Sequence, residues 1–592
     1  MLGSGRHKIE SEEQFAASLE TCKKANLDGV VVIGGDDSNT NAALLGEYFK
    51  SKGSKCKVVG APKTIDGDLK VMPYIPVSFG FDTACRTFSE LVGNCCVDSL
   101  SAQKYYHFVR LMGRSASNIA IEVCLQTLPN YCFIGEEVKA KNLGLKALSC
   151  QLADMVESRY KNKKKNYGVV LLPEGLIEFI PEFEKLIAEL NDLGDSLGDH
   201  ASPEDVAAKL SAENKAVFEY LPLFIQKQLT LDRDSHGNLQ VAAIETEKLL
   251  AATVHTELEK RFGSKEMADL VFTPQFHAFG YEGRAGLPTL FDSAYCFALG
   301  ATACQLIIAE KTGLIASVTG LDKQSPAEWE CGGVPVTSLC VIERRKGKDK
   351  PVIRKALVEL LDDPNHKTLN NSVFYAWEIL RDLCMEYDLY QIPGPMQFDM
   401  ESFDIPVMLR IELEGSAPIL TKLVKQVLGT TLDIDFSNGE EKFFTDLKEL
   451  CKSQFSKALD EHQFNIEWPA PGEHFNFIGG NLPKSKLQMA LAAKGYDVPS
   501  DSFGFLSGDA SGQYFSPEVF GSLALNEDET TQSMEPKDEP FLTKTFPNTY
   551  GRQLVTLRRQ PDGAAKKPMG TVGIVFCGRQ TPGKFDDHLD FV

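Results

Sequence analysis

The 592-residue chain is short of several features that would settle its class at once. Its 15 cysteines include no CxxC pair, so neither a zinc ribbon nor a dithiol redox motif is readable from spacing, and scattered reduced thiols are the expectation. Positive charge is in deficit. The 82 acidic residues outnumber 62 basic ones, a formal net charge of -20 at pH 7, which excludes a general nucleic-acid or anionic-membrane binder. A few local Lys and Arg suffice to hold a phosphorylated substrate in such a protein. The opening MLGSGRHKIESEEQF lacks both a basic leader followed by an apolar core and an Arg/Ser-rich targeting helix. No apolar run reads as long enough to cross a bilayer, so a cytoplasmic protein is expected. No GxGxxG follows the first apolar run, which leaves a dinucleotide-binding dehydrogenase with only its α/β pattern for support.

What is present is ordinary globular material, 43% hydrophobic and 24% charged, in a chain too long for one core. Residues 12–26 read as a helix feeding the buried strand LDGVVVIGG. A helix from about Asn39 to Lys50 and the strand KCKVVG follow. Helical spacing returns at Asp82 to Val92, then come the strand KYYHFVRLMG, the helix RSASNIAIEVCLQTL, and the strands YCFIGEE and YGVVLLPEG. Continuous apolar strands alternating with amphipathic helices predict an α/β fold, mostly parallel, with helices on both faces and ligands beyond the carboxyl ends of the strands. Residues 1–177 read as the first α/β domain, and 178–265, rich in Glu, Leu and Ala, as a helical insertion. Residues 266–415 read as a second α/β region, 416–523 as an α-rich extension and 524–545 as an acidic linker. The tail 546–592 shows a fresh strand and a glycine-rich loop, GTVGIVFCGRQTPGKF, the start of a further unit. The basic run Arg159 to Asn166 reads as a solvated helix end.

The run VVVIGGDDSNTNAALLGEYF is the most informative stretch. Gly34 and Gly35 at a strand-to-helix turn let phosphate approach the backbone, and the following helix offers unpaired N–H groups. Asp36 suits a divalent cation shared with phosphate oxygens. Helix capping by Asp37 or Ser38 is the plainer reading, though one cap does not call for two acids and two glycines. The next turn, Pro62-Lys63-Thr64-Ile65-Asp66-Gly67-Asp68, pairs a lysine for a transferring phosphoryl group with aspartates, Asp66 being the better base. Read alone it is an unremarkable turn. Met112, Gly113 and Arg114 end another strand, with Arg114 in reach of a phosphate or of sugar hydroxyls. Glu136 and Glu137 close the next, one of them an acceptor for sugar hydroxyls. Tyr281 to Arg284, YEGR, forms a glycine-framed turn with Arg284 as a second phosphate fork.

In this order GGDDS, PKTIDGD, MGR, GEE and FGYEGR resemble the 6-phosphofructokinase family in its long, pyrophosphate-dependent branch, nearest the beta-type form of plants. The likeness runs from Ser4 to Pro395. It implies a phosphofructokinase-like fold, two Rossmann-like three-layer domains with mostly parallel sheets plus the insertion. It also implies a reversible, Mg2+-dependent glycolytic transfer from pyrophosphate to the 1-hydroxyl of fructose 6-phosphate. Carried onto this chain, Asp66 is the base, Asp36 binds Mg2+, Asp68 supports the same centre, and Lys63 and Thr64 contact the transferring phosphate. Gly35, Asp37, Arg6 and Lys63 lie along the donor, and Met112, Gly113, Arg114, Glu136, Tyr281 and Arg284 make the sugar-phosphate pocket. ATP-using members carry glycine at the positions of Asp37 and Lys63. A carboxylate at Asp37 would repel a nucleotide's α-phosphate, whereas Lys63 offsets the charge of compact pyrophosphate. A homo-oligomer is implied, with Lys104 a candidate cross-subunit contact.

The chain departs from that pattern at its ends. Family subunits begin with a strand and a GGxxPG loop upstream of the point where MLGSGRHKI opens. The tail resembles the beginning of another copy, with Cys577, Gly578, Arg579, Gln580, Thr581, Pro582 and Gly583 as the phosphate loop and a departure at Lys584 and Phe585. An excerpt of a tandem fusion is the expectation. A tail that folds back to supply the strand is an alternative, as is a non-catalytic or regulatory half of a larger phosphofructokinase assembly.

Overall fold

The computed structural model describes residues 9–113, 116–193, 202–230, 239, 241–262, 270–323, 325–345, 348–360, 371–391, 405–416, 418, 420, 541–547, 553–559 and 572–576. Helix α1, Glu12–Lys24, starts on a capping box. The Ser11 hydroxyl accepts from Gln14 N, and the Gln14 side chain accepts from Ser11 N at 3.0 Å. Strand β1, Gly29–Gly34, leads into α2, Asp36–Ser51, and then β2, Lys57–Pro62. Helix α2 begins three residues ahead of the expected Asn39. Gly35 takes the N-cap position in extended conformation, and the two aspartates lie in the first turn, where carboxylates complement the helix dipole.

Helix α3, Phe81–Ala102, outruns the expected Val92 by three turns because Cys95, Cys96 and Ser99 keep a small-residue face in the core. Strand β3, Tyr106–Leu111, α4, Asn118–Thr127, and the short β4, Tyr131–Cys132, follow. GEE does not continue β4. It opens α5, Gly135–Ala140, with both glutamates in the first turn. Helix α6, Leu145–Lys163, returns to β5, Gly168–Pro173. The described residues of 178–265 are almost wholly helical, from Pro181–Leu193 to Thr246–Arg261.

After them come β6, Pro274–Phe279, β7, Leu314–Thr319, β8, Glu330–Pro335, and a hairpin of β9, Cys340–Arg345, with β10, Lys348–Ile353. Far along the chain, β11, Phe541–Pro547, pairs antiparallel with β12, Gln553–Arg559. The last strand is β13, Val572–Phe576.

The strands form two principal sheets, of order β13-β1-β2-β7-β8 and β4-β5-β3-β6. All their pairings are parallel except β7 with β8. Segments 1–177 and 266–415 each contribute to both sheets. Strand β13 lies beside β1, with Gly29 opposite Val572 and Ile33 opposite Phe576.

One core holds residues of both sheets, including Val31, Val59, Val109, Leu111 and Val318, together with α3 and α4. The alternate β3 residues Tyr106 and Phe108 face a second core shared with the insertion. This two-sided burial explains why the strands read as unbroken apolar runs.

The expectation that no apolar run is long enough to cross a bilayer needs correction. The helix Leu290–Ile308 meets that criterion by length and composition. In the fold it lies along the first sheet, with Phe291, Tyr295, Leu299, Ala303 and Ile307 buried and Phe297 facing outward. One face of it covers the sheet, and the rest of its apolar surface, Phe297 and Ile308 included, is half-buried or exposed.

Candidate functional site

Parallel pairing puts the two acid-rich turns side by side. Gly34 is level with Pro62 in the β1–β2 register, so the next residue of each strand enters the same rim. Lys63 N donates to the Gly34 carbonyl at 2.9 Å. A Cβ placed on Gly35 would lie 3.6 Å from the Lys63 carbonyl oxygen and 4.0 Å from Thr64 Cβ. Gly35 is the N-cap of α2 and carries no capping side chain of its own. The N-cap is thus Gly35, ahead of the Asp37 and Ser38 of the plainer capping reading, and Ser38 sits against Gly34.

Asn39 holds this junction together. Its buried amide donates to Gly34 O at 2.6 Å, Gly35 O at 2.9 Å and Ala61 O at 3.4 Å, tying the ends of β1 and β2. The sequence reading missed it, although it stands inside the quoted motif. An Asn one helical turn after paired glycines was the available signal.

The second turn is fastened at each end. Asp66 N donates to Thr64 Oγ1 at 3.1 Å, and Ser78 Oγ donates to Thr64 O at 2.9 Å. Gly67 adopts φ +67°, and a Cβ there would run into the Phe81 ring at 2.8 Å. This leaves Lys63 exposed, Asp66 half-buried and Asp68 buried. Burial raises the Asp68 carboxyl to about 6, with the charges of Asp66 and Asp36 pushing the same way and Lys355 opposing them. The charges of Asp66 and Asp36 thus reach Asp68 across the two turns, an arrangement suited to a cation. Lys355 Nζ lies 3.7 Å from Asp68 Oδ2.

The other sheet presents a matching rim. Gly113, at φ +140°, donates its N–H to Glu174 Oε2 at 3.1 Å beyond the end of β5. Met112 N donates to Phe279 O at 2.9 Å, and a Cβ on Gly280 would meet Met112 Cε at 2.9 Å, so the MGR and YEGR turns abut. YEGR is a short helix, Tyr281–Arg284, rather than an open turn, with the Arg284 guanidinium 5.3 Å from the Tyr281 ring centroid and both side chains exposed.

Glu136 is buried. Its Oε1 accepts from Ser117 N at 3.1 Å and Val358 N at 3.0 Å, whereas Oε2 has no hydrogen-bond partner. Glu137 points elsewhere and binds Arg381 and Lys141. Of the two glutamates, Glu136 is the one with an unpaired, though buried, carboxylate oxygen.

Asn118 joins the rims. Its amide donates to Asp66 O at 3.4 Å and to Ala356 O at 3.2 Å, and Ala356 N donates to Asp68 O at 2.7 Å. The segment from Lys355 to Val358 thus spans from Asp68 to Glu136. Nothing local in the sequence marked it, and Glu174 was passed over although it too is an acid at a strand's carboxyl end. Arg6, Arg114 and Cys577 to Phe585 lie outside the described residues. Lys104 is exposed beside Tyr105, its Nζ 5.1 Å from the ring centroid.

The family described as Phosphofructokinase matches residues 1–307. A beta subunit of pyrophosphate–fructose 6-phosphate 1-phosphotransferase from Ricinus communis is 52% identical over 399 residues, covering 67% of this chain and 70% of its own. The beta subunit from Solanum tuberosum is 52% identical over 400 residues, covering 67% and 68%. The pyrophosphate–fructose 6-phosphate 1-phosphotransferase of Entamoeba histolytica is 51% identical over 372 residues, covering 62% and 67%.

Proposed function

Since the chain belongs to the phosphofructokinase family, we propose that its cleft reversibly transfers a phosphoryl group from pyrophosphate to the 1-hydroxyl of fructose 6-phosphate. The products are fructose 1,6-bisphosphate and phosphate. The observation that carries this reading is the contact of the two acid-rich turns at Gly35 and Lys63. It fits a small, highly charged donor better than a nucleotide.

Asp66 takes the proton from the attacking hydroxyl, with its turn held by Thr64, Ser78 and Asn118. Lys63 and Thr64 meet the transferring phosphate, and the N-terminus of α2 behind Gly35 and Asp37 receives the distal one, with Arg6 beside the donor. Asp36 would hold Mg2+, with Asp68 behind it; the charges of Asp36 and Asp66 both act on Asp68, which fits a divalent cation. When bound, Mg2+ would neutralise charge on the pyrophosphate oxygens.

The sugar phosphate is gripped by Arg114, Tyr281 and Arg284, while Met112 and Gly113 let it approach the backbone. The unpartnered Glu136 Oε2 accepts a sugar hydroxyl. Strand β13 ends level with Ile33, and the run Cys577 to Gly583 follows it in sequence, which supports a donor loop supplied by the chain itself.

We further propose a homo-oligomer working in the cytoplasm. Leu287, Phe297 and Tyr281 are large apolar or aromatic side chains left 74%, 70% and 71% exposed, which fits a subunit contact. The described cysteines are all free, as a reducing compartment favours.

A coupled assay with fructose 6-phosphate, Mg2+ and either pyrophosphate or ATP tests the proposal. Turnover with pyrophosphate is expected. Turnover with ATP alone would overturn the donor assignment, and turnover with neither would favour a non-catalytic half.

A further inference from the structure

Metal-binding side chains also meet well away from the two rims. His107 is the second residue of β3, five residues before Met112 and so about 16 Å from it along the strand. His277 on β6 is level with Val109. With a strand period of two, His107 and His277 are diagonal neighbours on the sheet face that α3 covers. Helix α3 brings Cys95 to the same spot, and the ligand atoms of Cys95, His107 and His277 all lie within 4.8 Å of one another.

The pair of imidazoles is already convergent. His107 Nδ1 is 2.9 Å from His277 Nε2, and the rings stack with centroids 5.2 Å apart. Cys95 and His107 are buried, whereas His277 is half-buried on the edge strand, which leaves a way in from solvent. Asp98 follows Cys95 by three residues on α3, and its Oδ2 is 3.2 Å from His107 Nε2. That nitrogen is buried without an aligned hydrogen bond.

The chemistry of the set is selective. Burial holds both imidazoles below their ordinary range. Burial, with the Asp98 charge, pushes the Cys95 thiol up to about 12. Two imidazoles and a sulfur are poor ligands for Mg2+ and good ones for zinc-like ions.

We propose that Cys95, His107 and His277 form a tetrahedral site for zinc or a similar thiophilic divalent ion. His107 ligates through Nδ1 and turns its Nε2–H to Asp98, and the fourth position is open at the β6 edge. The arrangement of carboxylate, imidazole and metal fixes the ring tautomer and orientation. Bond lengths of about 2.0–2.1 Å to nitrogen and about 2.3 Å to sulfur set ligand atoms roughly 3.3–3.6 Å apart. The imidazoles must therefore part by a few tenths of an ångström and the thiol close in by side-chain rotation. Binding forms a metal–sulfur bond and breaks the S–H bond, releasing one proton to solvent for each ion bound. The site is independent of the phosphoryl-transfer reading.

The test uses full-length protein stripped by chelator and titrated with Co2+ in the presence of Mg2+. One equivalent is expected to bind with a thiolate-to-cobalt charge-transfer band in the near ultraviolet, to be displaced by Zn2+, and to release one proton. Cys95→Ser should abolish the band despite the other cysteines. His277→Gln, at a half-buried edge position where folding is least at risk, should remove the tight equivalent. Asp98→Asn should weaken zinc about 10–100-fold. Absence of the band in the wild-type protein, or its persistence in both Cys95→Ser and His277→Gln with melting curves unchanged, would overturn the proposal.

Discussion

Replacing Asp68 by Asn exposes the tension between stability and function at this site. Asp68 is 5% exposed, and its carboxyl is held at about 6 against an ordinary value of 3.8. Burial is the main cause, Asp66 and Asp36 add to it, and Lys355 at 3.7 Å only partly compensates. A carboxyl whose folded value is raised binds its proton more tightly in the folded state. Its ionised form therefore costs stability, fully above pH 6, and that cost fades as pH falls through 3.8.

At roughly 1.4 kcal/mol per pH unit, the penalty is about 3 kcal/mol at pH 8, about 1.5 at pH 5 and about 0.5 at pH 4. Asparagine removes the charge but loses the Lys355 contact and leaves an amide imperfectly paired, about 1 kcal/mol in the other direction. Urea unfolding in EDTA should then show the variant about 2 kcal/mol more stable at pH 8 and close to wild type at pH 4–5. Adding Mg2+ and pyrophosphate should reverse the order, because only the wild type gains binding energy there, and turnover should fall. A variant no more stable than wild type at pH 8, or one shifted equally at pH 8 and pH 5, would refute the reasoning.

Three other outcomes are expected. Asp66→Ser should lower kcat by about 10²–10⁴-fold with the circular-dichroism spectrum unchanged, and near-wild-type turnover would remove Asp66 as the base. Asp37→Gly with Lys63→Gly should raise the ratio of ATP to pyrophosphate activity, measured as kcat/KM for each donor; an unchanged ratio would refute the charge argument for donor choice. Deleting residues 572–592 should strip β13 from β1, raising the KM for pyrophosphate and lowering the melting temperature. Unchanged values for both would show that the first sheet and the donor site do without the tail.

The candidate site was proposed from signals that are local. Glycine pairs, acids and a lone lysine at the ends of unbroken apolar runs mark the carboxyl rims of parallel sheets whatever the strand order. Gly35, Lys63, Asp66, Gly113 and Glu136 were all proposed on those signals. Element boundaries were less legible. Asp36 and Asp37 were read as loop, whereas a glycine N-cap and the helix dipole draw them into α2. GEE was read as strand for the same reason, and proved to be the first turn of α5. Asn39, Asn118 and Lys355 escaped because their roles depend on backbone groups that only the folded chain brings within reach.

By itself the sequence determined the α/β class, the candidate chemistry and its family, since apolar periodicity, turn residues and motif order are all written along the chain. The tertiary structure alone decided that β7 and β8 join β1 and β2, and that β13 closes on β1. It also decided that Glu136 rather than Glu137 keeps a buried carboxylate oxygen unpaired. Strand pairing and hydrogen-bond satisfaction depend on which distant segments pack together, and no local run of residues carries that information.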